Sequence, residues 1–148
     1  MKAFVDSGFL LTLLLKTSGS QKAWEVARPL EGPLLVTSLQ IYATENRLQR
    51  EIESDDSTEA QRAVAANALQ NFRWYLDQQV FRSVRLDYDI AIDLASQWQR
   101  RGRETLPALL PLWPALGVTM GATHFLGFDP RTRSLARAAG LKLLPQKL

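Results

Sequence analysis

A short apolar segment at the start of the chain, Ala3-Phe4-Val5, constrains the fold more than any other feature of the sequence. It has no polar alternation and stops at a carboxylate, Asp6. A run of this kind is typical of a strand buried on both faces of a parallel sheet. Because the apolar, helix-like segment 8–15 follows at once, strands and helices are expected to alternate from the first residues onward.

The alternation continues along the chain. Four further short segments predict strands, and helical patterns separate them. These strands are predicted over residues 34–37, 82–86, 124–128 and 141–144, and the helices over 21–30, from 38 onward, 59–79, 88–100 and 130–139. The sequence therefore predicts an α/β fold with one domain over residues 1–148. Its central parallel sheet of four to five strands is flanked by helices and joined by right-handed crossovers.

Three prolines interrupt the apolar segment 105–120, namely Pro107, Pro111 and Pro114. A proline inside a regular helix costs about 3 kcal/mol, because it removes a hydrogen bond and its ring clashes with the preceding turn. A helix in this segment is therefore expected to be kinked or to begin late.

Composition excludes several kinds of site. The chain has no cysteine, which excludes disulfides, thiol catalysis and cysteine-ligated zinc. Its single histidine, His124, cannot form a histidine-rich metal site. Any bound metal would have to be a hard cation held by oxygen ligands. The net charge of +3 is compatible with a nucleic-acid partner without identifying one.

The start of the chain loosely mimics a secretory signal, because Lys2 precedes the apolar block 9–15. Asp6 interrupts the apolar part, however, and no Ala-x-Ala cleavage site follows. The block is also too short to span a bilayer. We expect a cytoplasmic protein that has no contact with a membrane.

Two aspartates occupy equivalent places in the predicted fold. Asp6 follows the first strand and Asp129 follows the strand predicted over 124–128. Asp6 could simply cap the helix that comes next. If the two strands are neighbours, however, both carboxylates face one crevice at the carboxyl edge of the sheet. Clustered carboxylates are a natural site for Mg²⁺ or Mn²⁺ in phosphodiester chemistry.

Nearly the whole chain resembles the PIN domains, a family that includes the VapC-like toxin ribonucleases of bacterial type II toxin–antitoxin pairs. The resemblance rests on residues 4–7, on residues 36–38 before a helix that contains Glu45, and on 121–129 followed by 133–141. It implies a PIN-like fold and an endoribonuclease that depends on Mg²⁺ or Mn²⁺, with four acids around one cleft. It also implies RNA as a substrate, a small antitoxin as a partner, and a homodimer.

The sequence departs from the family pattern at the acids. The third acid of that pattern falls on Leu110 in one register and on Pro107 in another, and no Asp or Glu lies between Glu104 and Asp129. The second acid falls on Ala43, with Glu45 two positions further on, as a candidate substitute. Gly127 also stands where family members often have Ser or Thr.

Three functional hypotheses follow. The first is a degenerate PIN-fold protein whose RNA cleavage is lost or much reduced. The second is an active metal-dependent ribonuclease. The third is an RNA- or protein-binding module without metal, in which basic residues contact RNA, although those at 100–103 could equally compensate a helix dipole. The candidate residues are catalytic Asp6, Glu45 and Asp129, metal-binding Asp6 and Asp129, and RNA-binding Arg100, Arg101, Arg103, Arg131 and Arg133.

The homodimer is also expected from surface chemistry. Trp74 and Tyr75 lie partly off the core stripe of their helix, and the helix containing residues 10–15 is strongly apolar. Aromatic and aliphatic side chains of this kind are typical of protein interfaces.

Overall fold

The computed structural model describes residues 1–148 and has a five-stranded sheet at its centre. Every strand pairs in parallel with its neighbours, in the order β3-β2-β1-β4-β5. The strands are β1 (Ala3–Val5), β2 (Leu34–Val36), β3 (Phe81–Ser83), β4 (His124–Leu126) and β5 (Lys142–Leu144). All five lie within or next to the segments predicted from the sequence, and each is three residues long.

Seven helices flank the sheet, so the predicted α/β fold with a central parallel sheet is confirmed. None of them combines the length and the apolar character that crossing a membrane would require. The helices are α1 (Ser7–Leu14), α2 (Ser20–Ala27), α3 (Ser38–Glu53), α4 (Glu59–Asp77), α5 (Tyr88–Arg101), α6 (Leu112–Thr119) and α7 (Pro130–Ala138).

The strand order reverses at β1, which lies between β2 and β4. The chain first builds outward through β2 to β3 and then returns to the other side of β1 for β4 and β5. Val5 is in register with Leu126 at the ends of β1 and β4. The ends of these two strands form the switch point of the sheet, where open α/β folds leave a crevice.

β1 is buried on both faces, as its uninterrupted apolar sequence predicts. Ala3 and Val5 belong to a core cluster on one side of the sheet, together with residues of α1 and α4. Phe4 belongs to a second cluster on the other side, where its ring stacks on Phe125 with centroids 6.1 Å apart. Because side chains alternate along a strand, three residues are enough to anchor both halves of the core.

The apolar helix α1 lies in this core and does not offer the dimer surface expected of residues 10–15. Leu10, Leu13 and Leu14 are buried in the first cluster. A helix that follows a central strand covers that strand, so its apolar side chains pack against the sheet and are not free for an interface.

Two helices begin with a capping box. Thr37 caps α3, and Thr58 caps α4. In both cases a glutamine three residues later returns a hydrogen bond to the cap backbone, which completes a reciprocal capping box.

The proline-rich segment forms no kinked helix, because α6 begins only at Leu112, after Pro111. Pro114 lies in the first turn, where backbone N–H groups have no acceptor within the helix. A proline at this position therefore costs no helical hydrogen bond. Gly117 of α6 packs against Phe4, and a Cβ at this position would lie 3.2 Å from the phenylalanine ring. The late start and the glycine bring α6 close to β1, and so to the switch point.

Gln40 fixes the position of α3 against the end of β1. Its side chain is fully buried, and its amide nitrogen donates to the carbonyl oxygen of Val5. Its amide oxygen accepts from the backbone N–H of Thr37 at 2.8 Å. One side chain therefore satisfies two backbone groups that have no access to water.

Gln40→Leu should destabilise the fold by about 2–3 kcal/mol, because it leaves these two backbone groups unpaired. The matched control is Gln49→Leu on the same helix, where an exposed glutamine bonds only to Glu53; it should change the free energy of unfolding by less than about 0.5 kcal/mol. Urea denaturation followed by circular dichroism measures both variants. Equal losses would show that the Gln40 bonds contribute nothing specific.

Candidate functional site

A cavity of about 290 Å³ opens at the switch point between β1 and β4, and we call it the switch-point cavity. The elements that follow the two strands and the approach to α6 supply its walls. Its lining residues are Asp6, Gly8, Thr12, Leu110, Trp113, Phe128, Asp129 and Thr132. The prediction that Asp6 and Asp129 share one cleft is therefore confirmed.

Asp6 follows β1 directly and is only 5% exposed. It also caps α1, since its Oδ1 accepts from the backbone N–H of Gly8 at 3.1 Å. Its Oδ2 accepts from the hydroxyl of Thr132 at 3.0 Å. Burial raises the pKa of the Asp6 carboxyl above its ordinary value, and these two hydrogen bonds only partly oppose that effect.

Asp129 caps α7 and is paired with a base of its own helix. The guanidinium of Arg131 donates to both of its oxygens, at 3.1 Å from Nε and 2.8 Å from Nη2. These bonds hold the pKa of the Asp129 carboxyl below its usual range. For Asp6, helix capping and a place in a shared cleft were alternatives at the level of sequence. In the structure Asp6 does both, and so does Asp129.

Thr132 connects the two aspartates and is a residue that the sequence alone did not indicate. It is 1% exposed, and its hydroxyl lies 3.0 Å from Asp6 Oδ2 and 3.1 Å from the carbonyl oxygen of Asp129. The single hydroxyl proton can be donated to only one of them at a time. The sequence places Thr132 three residues after Asp129, within the first turn of the helix, and this was the only indication of a role near the aspartates. The pairing of β1 with β4 is what brings Thr132 to Asp6.

Leu110 and Trp113 form much of the apolar wall of the cavity. Of the two registers considered for the third acid of the PIN pattern, the one at Leu110 falls on the cavity lining, and Pro107 does not line it. An apolar side chain therefore faces the two aspartates from the place where that register would require a carboxylate.

Glu45 does not reach the switch-point cavity, and the prediction that it completes a three-acid site is wrong in this structure. It lies on α3 and forms an ion pair with Arg73 of α4, at 3.2 Å between Oε1 and Nε. Ala43, the other register for the second acid, does not line the cavity either.

Gly127 leaves no room for the Ser or Thr that the family pattern suggests. A Cβ at this position would lie 2.7 Å from the Phe125 ring and 3.2 Å from Asp6 Oδ2. Real Cβ atoms do not approach a buried ring so closely. The glycine therefore allows the β4 ring and the Asp6 carboxylate to lie where they do.

The residues present do not fit a Mg²⁺ or Mn²⁺ centre. Nowhere in the chain do three His, Cys, Asp or Glu side chains come close enough together to hold a metal ion. Both oxygens of Asp6 already accept hydrogen bonds, and Arg131 neutralises Asp129. A cation would have to displace these donors and desolvate beside Leu110 and Trp113.

The predicted RNA-binding arginines separate into three places. Arg100 and Arg101 are exposed in the last turn of α5, where they oppose the helix dipole. Arg103 and Arg131 line one cavity of about 410 Å³ beside the start of α7. Arg133 is not on the surface as predicted, because it is 4% exposed and donates to the carbonyl oxygens of Gly127 and Pro145.

No protein-family model matches the chain, and no curated protein matches it either.

The two aspartates should have opposite effects on how stability depends on pH. Because the folded-state pKa of Asp6 is raised, the folded protein binds this proton more tightly than the unfolded chain. The contribution of Asp6 is therefore fully present below its unfolded pKa of 3.8 and is lost as the pH rises through the folded value. Asp129 has a lowered folded-state pKa, so its contribution is present above 3.8 and is lost as the pH falls.

Asp6→Asn and Asp129→Asn test this directly. Relative to the parent protein, Asp6→Asn should gain stability as the pH rises from 3 to 7, and Asp129→Asn should lose it. Urea denaturation at intervals across this range gives both differences, and groups common to all three proteins cancel. Slopes of the same sign would contradict the assigned environments.

Proposed function

We propose that this chain is a PIN-like, VapC-like protein in which metal-dependent RNA cleavage is lost or much reduced. The observation that carries the proposal is the composition of the switch-point cavity. It keeps an aspartate at the end of each of two neighbouring strands, but one is buried with a raised pKa and the other is paired with Arg131. Leu110 and Trp113 occupy the remaining wall.

Electrostatics argue against efficient hydrolysis at this site. Mg²⁺ keeps several of its waters and needs only one or two carboxylates, so two carboxylates can still bind it weakly. Activating the attacking water is more demanding, because it depends on how the ion and a nearby base are held. Losing about 5–6 kcal/mol of transition-state stabilisation slows a reaction roughly ten-thousand-fold. Two carboxylates, one neutralised by an arginine and one with its oxygens already bonded, supply little of what such an ion requires.

The active ribonuclease has less support, because its proposed third carboxylate, Glu45, pairs with Arg73 away from the cavity. RNA as a ligand remains part of the proposal on the basis of the resemblance. In the cavity that Arg103 and Arg131 share, Glu104 is also present and Arg131 is paired with Asp129, so only Arg103 is left without an ion-pair partner there. A small antitoxin as partner follows from the resemblance to PIN domains and is proposed on that basis. The cytoplasm is proposed as the compartment, as expected from the sequence.

An RNA digest tests the loss of cleavage. Purified protein is incubated with structured and single-stranded RNA in Mg²⁺ or Mn²⁺, next to Asp6→Asn and an exposed-surface control, Asp77→Asn. We expect little or no metal-dependent cleavage in any of the three, because hydrogen bonds and Arg131 already occupy the carboxylate oxygens that would hold the ion.

The two variants also identify the source of any cleavage that does occur. Metal-dependent cleavage by the parent and by Asp77→Asn that disappears in Asp6→Asn would overturn the proposal. Cleavage of equal rate in all three proteins would point to a contaminating nuclease. A commercial ribonuclease confirms that each RNA is cleavable.

We also propose a homodimer that uses the exposed side of α3 and α4. Trp74 is 56% exposed and its ring lies 5.4 Å from that of Tyr75, while Tyr42 on α3 is also exposed. Large exposed aromatic side chains are enriched at interfaces.

Trp74→Ala should shift the assembly towards monomer, by tenfold or more in the dissociation constant, since aromatic residues dominate interface energies. Ile92→Ala, which shortens another exposed apolar side chain on α5, is the matched control and should leave the dimer intact. Light scattering across a range of concentrations measures the mass. A monomer mass for the parent at every concentration would contradict the homodimer.

A further inference from the structure

A second cavity, of about 430 Å³, lies between α7 and the segment that follows β5. Its polar side chains are three cations and two neutral groups, and no Asp or Glu side chain lines it; Pro130 and the final residue, Leu148, complete the lining. We call it the basic pocket, and its polar residues are Arg133, Ser134, Arg137, Gln146 and Lys147. It is separate from the switch-point cavity and shares no residue with it.

Arg133 forms the inner side of the basic pocket and is held rigidly. Its two terminal nitrogens donate to the carbonyl oxygens of Gly127 and Pro145, at 2.8 and 2.7 Å. A guanidinium has five N–H donors, so three remain after these two bonds. The side chain is nine-tenths buried and has no carboxylate partner. Burial and the nearby charge of Arg137 both lower the pKa of this guanidinium.

Arg137 and Lys147 add two exposed charges that also lack acidic partners. The three ion pairs of the protein lie elsewhere, at Glu51, Glu45 and Asp129. Arg133 and Arg137 are one helical turn apart, a spacing at which like charges destabilise a helix. The dipole of α7 accounts for a base at Arg137 in the last turn, but not for Arg133 in the middle of the helix or for Lys147 beyond β5.

We propose that the basic pocket binds a phosphate group. An anion there would relieve the mutual repulsion of three cations and use the free N–H groups of Arg133, which two carbonyls already hold in place. Arginine is well suited to this task, because its planar fork matches two phosphate oxygens. The hydroxyl of Ser134 and the amide of Gln146 supply neutral donors at the same place.

The phosphate can come from a small phosphate ester or from the backbone of single-stranded RNA. The second source has support from the neighbouring cavity, where Arg103 and Arg131 lie next to Pro130 and Ser134, residues that line both cavities. A backbone that crosses α7 would then pass from the basic pocket to Arg103, although Glu104 and the Arg131–Asp129 ion pair reduce the positive charge at that second position. The inference does not rest on the proposed loss of cleavage, since neither Asp6 nor Asp129 lines the basic pocket.

The experiment is a nuclear magnetic resonance titration of the full chain at constant ionic strength, with chloride balancing each addition. One arm adds inorganic phosphate, and the other adds an eight-nucleotide single-stranded RNA that has no terminal phosphate. The test variant is Arg137→Gln with Lys147→Gln, which leaves buried Arg133 in place. The matched control is the double variant Arg50→Gln with Arg85→Gln. It also removes two positive charges, but from exposed sites on other parts of the chain.

We expect saturable shifts of the backbone amides of Ser134, Arg137, Gln146 and Lys147 in the parent protein and in the control variant. In the test variant the dissociation constant should rise at least about tenfold, as expected for the loss of two charge-assisted contacts. Saturation by phosphate assigns the site to small phosphate esters. Saturation by RNA alone, with shifts that extend to Arg103 and Arg131, assigns it to the RNA backbone.

Two results would overturn the proposal. One is the absence of saturable shifts at these amides with either probe. The other is an equal change in affinity in the test and control variants, which would show that only the overall charge matters. The amide spectrum of each variant before titration shows whether it is folded, so a loss of binding cannot be confused with a loss of structure.

Discussion

Burial of β1 on both faces is the constraint on which the rest of the structure depends. Phe4 packs into one half of the core while Ala3 and Val5 pack into the other, so helices must cover both sides of the sheet. The strand can then leave the core only at its end, where the chain becomes polar at Asp6. Gln40 and Thr132 bond to this end from α3 and from α7. The position of the switch-point cavity is a consequence of how the central strand is buried.

In the switch-point cavity, the carboxylate oxygens are already used by hydrogen bonds of the fold itself. Asp6 and Asp129 serve their helices as N-caps, and that structural use is satisfied without a metal. Arg131 pairs with Asp129 within the first turn of α7, and Thr132 bonds to Asp6 from the same turn. A short stretch of α7 thus binds the donor atoms that a cation would need. Hydrogen bonds within the fold and a bound cation would use the same carboxylate oxygens. In this chain the hydrogen bonds and the Arg131 ion pair use them.

α7 also separates two surfaces of opposite character. Its first turn faces the aspartates, and its later residues Arg133 and Arg137 face the basic pocket. Residues of α7 line both the switch-point cavity and the basic pocket. The geometry of this one helix therefore sets the distance between the two cavities. Any ligand bound at the basic pocket would lie between α7 and the segment after β5, without needing chemistry at the switch-point cavity.

The sequence by itself determined the strand and helix order, the parallel sheet and the place of Asp6 and Asp129 at two strand ends, because uninterrupted apolar runs and local caps depend on neighbouring residues. It also showed that no acid lies between Glu104 and Asp129. Only the tertiary structure decided that Glu45 pairs with Arg73, that α1 is core and not interface, and that Thr132 reaches Asp6. Those facts depend on which helices pack side by side and on residues more than a hundred positions apart. Spacing along a helix gives the face on which a side chain lies, and packing decides what that face meets.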